Sequence, residues 1–142
     1  MRTVISVVLM LYCISGFTQD NSLPPEVNGA FQKKYAGSRI DDWWLEDSTN
    51  YYIGFTLTGH SYTALYDQKG TWKETAEMIS DMDMPPCVAD YIKKSFPTGR
   101  VNYCEVVESP GQAKYLRVNL MDSDYQTRVI RCNLDGKNIK VL

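Results

Sequence analysis

Two stretches decide how this chain folds. The first is Leu23-Pro24-Pro25-Glu26-Val27-Asn28-Gly29-Ala30-Phe31-Gln32-Lys33-Lys34-Tyr35-Ala36-Gly37-Ser38-Arg39-Ile40. The second is Met84-Pro85-Pro86-Cys87-Val88-Ala89-Asp90-Tyr91-Ile92-Lys93-Lys94-Ser95-Phe96-Pro97-Thr98-Gly99-Arg100-Val101. Slid by 61 positions, they share both prolines, a valine, a lysine (Lys33 with Lys94) and the arginine, while Phe31 meets Ile92 and Tyr35 meets Phe96. Two copies are too few for a solenoid, so the pattern reads as a pseudo-symmetric pair.

Each copy opens with a helix. Proline suits the first helical turn, where its missing N–H has no partner to lose. Val27, Ala30, Phe31 and Tyr35 then fall on one helical face, as do Val88, Ile92 and Phe96. Paired lysines stand late in each helix, at the negative end of its dipole. They read as a solvated face rather than a membrane or nucleic-acid patch. Gly37 and Pro97 are expected to end the helices.

Strands follow. Ile53, Phe55 and Leu57 alternate with Gly54 and Thr56; Leu116, Val118 and Leu120 alternate with Arg117 and Asn119. That period of two marks half-buried strands. First strands are expected near 39–46 and 100–107, third strands near 62–67 and 126–133, last strands near 71–76 and 137–141. Thr58-Gly59-His60-Ser61 and Met121-Asp122-Ser123-Asp124 read as hairpin turns, with further turns at Gly70 and Gly136. The expectation is an α+β fold, a tandem repeat of helix plus four-stranded antiparallel sheet, helices on one face. The repeats would span about 23–83 and 84–142 of a single domain over 19–142. In the first strand Ile40, Asp42 and Trp44 are expected on one side, Asp41, Trp43 and Leu45 on the other. One tryptophan is then core, and the other is exposed or covered by a second layer.

Working outward, residues 1–18 read as a secretory signal peptide: Arg2, an apolar run Val4–Ile14, then small Ser15 and Gly16. The run is short of the roughly 20 apolar residues of a membrane span. Cleavage fits after Thr18 or after Gly16. Cys13 does not mark a lipoprotein, because Tyr12 stands where that signal needs a small residue. The full chain of 142 residues has a net charge of −2. Without Arg2 the mature chain carries −3, too acidic for a nucleic-acid footprint. No membrane span is expected after cleavage, and the location is periplasmic or secreted.

Removing the signal also removes Cys13 and leaves Cys87, Cys104 and Cys132. If a bridge forms, Cys104–Cys132 is expected, since both lie on strands of one sheet. There is no CxxC pair for redox or zinc chemistry.

The segments Tyr52…Phe55…Gly59…Tyr66-Asp67-Gln68-Lys69-Gly70-Thr71-Trp72…Thr75…Ile79…Pro85…Val88…Ile92…Phe96-Pro97 resemble the bacterial PepSY-like, or β-lactamase-inhibitor-protein-like, exported proteins of Bacteroidetes. The resemblance runs from about Leu23 to Leu142. The second copy departs from it: Cys132-Asn133-Leu134-Asp135-Gly136 replaces Tyr-Asp-x-x-Gly, and Asn138 stands where Trp72 does. The resemblance implies export and a tandem helix-plus-sheet fold. It implies no activity, because most members have none known, and none of the inhibitor's contact residues has a matching motif here. Fold does not settle function.

The chain has one histidine, His60, in an expected turn with no nucleophile or acid to complete a triad. The acidic pairs, Asp81-Met82-Asp83 and Asp122-Ser123-Asp124 among them, lack the later ligands of a calcium loop. No phosphate-binding glycine loop appears. No cofactor, metal or catalytic residue is therefore assigned. Aromatic density is the remaining signal. Trp43, Trp44, Tyr51, Tyr52 and Tyr62 are the expected contacts, because tyrosine and tryptophan are enriched in binding hot spots. The same residue types also pack sheets. Charge is uneven: residues 20–83 hold 11 acidic and 5 basic side chains, residues 84–142 hold 6 and 9. The two halves attract each other, or the field steers a charged partner. The reading is a non-catalytic, inhibitor-like module for a protein or peptide of the cell envelope, bound on an aromatic sheet face. The alternative is a small-ligand carrier with a pocket between helix and sheet.

Overall fold

The computed structural model describes residues 22–142. The expected signal peptide, 1–18, lies outside the described residues. The chain runs helix α1 (Pro25–Lys34), strands β1 (Arg39–Leu45), β2 (Asn50–Leu57), β3 (His60–Asp67) and β4 (Trp72–Ile79), then a 3₁₀ turn at Asp81–Asp83. Helix α2 (Pro86–Ser95) follows, with strands β5 (Arg100–Glu108), β6 (Tyr115–Met121), β7 (Thr127–Asn133) and β8 (Lys140–Val141).

The expected fold class needs correcting. Among the described residues, all eight strands form one antiparallel sheet in the order β1 to β8, and the fold is mostly β with two short helices. β4 and β5 pair from Thr75↔Glu108 to Ile79↔Cys104, so no boundary separates two four-stranded sheets. The reason lies in the backbone. Two sheets would leave four edges of unpaired N–H and C=O groups, and joining β4 to β5 removes two of them.

Helix α1 has Pro24 at its N-cap and Pro25 in its first turn, and buries Val27 and Phe31, four residues apart. Helix α2 begins the same way and buries Val88 and Ile92. They end at Lys34 and Ser95, before Gly37 and Pro97; the caps Tyr35 and Phe96 each donate N–H to the carbonyl of Phe31 and Ile92 at 2.8 Å. α1 covers Ile53, Phe55, Ala64 and Tyr66, and α2 covers Cys104, Leu116, Val118, Leu120, Ile130 and Cys132. Cross-strand pairing links these residues through Thr75, Glu77 and Ile79 of β4, so both helices lie on one face of the sheet. Among the described residues, no helix lies on the other face.

A bulge corrects the reading of β1. Register shifts between Ile40 and Asp42, so Ile40 pairs with Phe55 and Trp43 with Ile53. Ile40 and Trp43, three apart, therefore both pack under α1, and Trp44 faces away. β5 carries the same shift between Val101 and Tyr103, which puts Val101 and Cys104 in the core and frees Tyr103.

The first hairpin is tighter than expected. Thr58 and Gly59 alone make the turn, at φ of 51° and 86°, as a two-residue loop with both central residues at positive φ requires. His60 thus opens β3, where its Nδ1 lies 3.0 Å from Glu77. Gly70 and Gly136 sit at φ of 76° and 77°, each where its turn touches the start of a helix: a Cβ on Gly70 would lie 2.6 Å from the Glu26 carbonyl oxygen, one on Gly136 2.3 Å from Cys87 Sγ.

Candidate functional site

The five aromatic residues expected to make contacts do not share a face. Trp43, Tyr51 and Tyr62 turn toward the core beneath α1. Trp44 and Tyr52 turn to the open face, where they pair across β1 and β2 and stack with ring centroids 5.4 Å apart and planes 9° apart. Trp44 remains 41 % exposed.

Around that stack the open face forms a hollow of about 660 Å³, bordered by Leu65, Met78, Tyr103 and Tyr115. Met78 and Tyr103 are 51 % and 40 % exposed, so the apolar surface there is available to a partner. Its floor is an ion network. Arg117 donates Nε to Glu105 Oε2 at 2.8 Å and Nη1 to Glu74 Oε1 at 2.9 Å. Burial works to lower the guanidinium's pKa, and the two carboxylates more than reverse this, holding it above its ordinary range. Burial, with Glu46 beside it, pushes the Tyr52 hydroxyl well above its ordinary value and keeps it protonated at neutral pH. The face thus offers stacked rings, hydroxyl donors and fixed charges, which is the chemistry of recognition.

Sequence reasoning missed Tyr103, Tyr115, Glu74, Glu105, Arg117 and Arg131. Parity held the signal for β6. Leu116, Val118 and Leu120 are buried, so Tyr115 and Arg117 had to face the other way.

A second cleft, of about 1060 Å³, adjoins the hollow beyond β7 and shares Tyr115 and Arg131 with it. Neither opening draws a residue from α1 or α2, so neither is the expected carrier pocket between helix and sheet.

The structure does not bring Cys104 and Cys132 together as a bridge. Both thiols are free and buried on the helix-covered face, with β6 lying between their strands. Two strand spacings are about 9.6 Å, and a disulfide needs Cα atoms within about 7 Å. Burial pushes each thiol up to about 11. Cys87 is free and exposed at the start of α2. Among the described residues, no helix is long and apolar enough to cross a membrane, and no three His, Cys, Asp or Glu side chains converge as a metal site.

No protein-family profile matches the chain, and no curated relative does. Solved structures do resemble it. A DUF2874 family protein from Bacteroides uniformis is 20 % identical with a TM-score of 0.66, over 84 % of this chain and 88 % of that one. A Bacteroides eggerthii protein, provisionally named periplasmic, is 17 % identical with a TM-score of 0.65, over 84 % and 89 %. A BLIP-like protein from Bacteroides fragilis is 17 % identical with a TM-score of 0.63, over 87 % and 91 %. At these identities the likeness is one of fold. It fits the Bacteroidetes, β-lactamase-inhibitor-protein-like side of the resemblance seen in the sequence and does not show the PepSY side.

Proposed function

We propose that this protein is an exported, non-catalytic binding module, periplasmic or secreted, that engages a protein or peptide through the open face of its sheet. The observation that carries the reading is the Trp44–Tyr52 stack on a face that no helix among the described residues covers. Large exposed aromatic surface is what binding hot spots are made of. With β2 to β7 each seven to nine residues long, the face also has the extent of a standard interface, about 800 Å² per partner. The inhibitor-like fold of a structural neighbour agrees with such a role. The contacts are Trp44 and Tyr52, joined by Tyr103. Trp43, Tyr51 and Tyr62 contribute by fixing the strands from the covered side.

The test is a pull-down from native cell-envelope extract with the mature chain as bait. A Trp44→Ala, Tyr52→Ala, Tyr103→Ala bait with unchanged circular dichroism is the control. A stoichiometric protein held by the first and lost by the second is the expected result. A partner held equally by both, or by neither, overturns the reading.

A further inference from the structure

Three cations stand in a row across the open face. Arg117 of β6 is directly opposite Arg131 of β7, and Arg131 is directly opposite Lys140 of β8. Directly opposed residues have Cβ atoms about 5 Å apart, and like charges so placed destabilise a sheet. Glu74 and Glu105 relieve Arg117. No carboxylate among the described residues lies within ion-pair distance of Arg131 or Lys140.

Arg131 is nevertheless held in place. Its guanidinium lies 3.7 Å over the Tyr115 ring, and Nη2 donates to Gln112 Oε1 at 2.7 Å. A stacked guanidinium anchored through one of its five N–H groups keeps a fork of donors for a carboxylate. Arg131 and Lys140 both line the 1060 Å³ cleft. The other charged side chains of that cleft are spoken for: Lys114 by Glu108 at 3.1 Å, Asp135 by Lys137 at 3.0 Å.

We infer that Arg131 and Lys140 are a docking site for an acidic peptide segment. This deepens the reading of the open face as a binding surface and rests on it. The partner then carries carboxylates where it crosses β7 and β8, with apolar side chains against Tyr115 and Leu134, which line the same cleft. A peptide suits the site better than a small free acid. The cleft does not close around a small molecule but runs on into the hollow beside Trp44, with which it shares Tyr115, Arg131 and Leu142.

The test is an NMR titration of the ¹⁵N-labelled chain with three probes. They are an acetylated and amidated decapeptide with three glutamates among leucines and glycines, its glutamine counterpart, and free glutarate. The glutamate peptide is expected to shift β6–β8 amides saturably, at least tenfold more tightly than either other probe and more weakly as salt rises. Arg131→Gln with Lys140→Gln is expected to weaken it at least tenfold while leaving the melting temperature unchanged or higher, since two unpaired like charges are gone. Equal binding of the glutamine peptide overturns the acidic specificity, and equal binding of glutarate overturns the assignment to a peptide. No shift, or binding unchanged in the double variant, overturns the site. All three failures leave the Trp44–Tyr52 reading standing, which fails separately if the alanine bait keeps its partner.

Discussion

Arg117 faces Glu105 directly across the β5–β6 pair, with Nε donating at 2.8 Å, and reaches Glu74 of β4 with Nη1 at 2.9 Å. One guanidinium thus ties three strands at the centre of the sheet, including the β4–β5 pair that makes the sheet continuous. Arg117→Met leaves two poorly exposed carboxylates, Glu74 and Glu105, without the cation that joins them. Breaking a fully buried pair costs 3–5 kcal/mol; at this partly open site about 2–3 kcal/mol is expected in urea unfolding. Arg117→Lys recovers part of the loss, because a single ammonium cannot reproduce the two-directional fork. A loss under about 0.5 kcal/mol, the range of a surface pair, would show that the network is incidental.

Tyr66 gives the opposite sign. Its ring is packed under α1, edge-on to Phe31 at 6.4 Å, but its hydroxyl is buried with no hydrogen-bond partner among the described residues. Burial pushes that hydroxyl well above its ordinary pKa, so it stays a donor with no acceptor among the described residues. Tyr66→Phe keeps the packing and removes the desolvated group, so it is expected to raise stability by about 1 kcal/mol. Differential scanning calorimetry reads this as a rise in Tm of roughly 3–5 °C. A lower Tm would mean that the hydroxyl has a partner in solution.

The helices, hairpins and strand parities were legible because local periodicity encodes them. Pro25 and Pro86 start helices, and Leu116, Val118 and Leu120 define a buried parity. Two kinds of information were not local. Strict alternation from Ile40 grouped Trp44 with Ile40, where the sheet puts Trp43, because one bulged residue shifts parity and Asp41 and Asp42 are equally polar. The β4–β5 pairing is a contact across α2 that neither strand's own pattern records. The candidate site inherits both blind spots. Tyr103 is exposed through the second bulge, and the row Arg117, Arg131, Lys140 exists only once register is known.

Gly70 is held by two constraints at once. Its φ is 76°, and a Cβ would lie 2.6 Å from the backbone oxygen of Glu26 in α1. Gly70→Ala is expected to cost about 1–2 kcal/mol for the left-handed backbone alone, and more for moving α1. Gly136→Ala meets a side chain first, Cys87 Sγ at 2.3 Å. Cys87→Ala should therefore partly rescue Gly136→Ala in thermal melts and leave Gly70→Ala unrescued. Equal rescue of both would contradict the contacts.

Asp67 sets an acid limit. Lys73 lies 2.9 Å from Oδ2, and the Lys69 and Thr71 amides each donate to Oδ1 at 2.9 Å, which closes the β3–β4 turn. Lys73 first, then the Thr71 amide, hold its carboxyl far below the ordinary carboxylate range. A depressed folded pKa gives stability that is present above the unfolded value, about 3.9, and lost as pH falls below it. Tm should therefore fall as pH drops from about 4. Asp67→Asn should have a lower Tm at neutral pH and a shallower acid slope. A wild-type slope unchanged in Asp67→Asn would remove Asp67 from the acid limb.

The cysteines make the last prediction, and it follows from depth rather than sequence spacing. Cys87 is exposed, whereas burial pushes the Cys104 and Cys132 thiols up to about 11. Alkylation needs the thiolate and access to it. At pH 8, iodoacetamide should label the folded mature chain, made from about Gln19 and so without Cys13, once, at Cys87. Unfolding in denaturant without reductant should raise the count to three, because β6 stands between Cys104 and Cys132 and no bridge holds them. Intact mass separates the cases. One label in denaturant without reductant, rising to three only after reduction, would mean that a disulfide between the buried pair had formed and that β5 and β7 approach each other in a way this sheet does not allow.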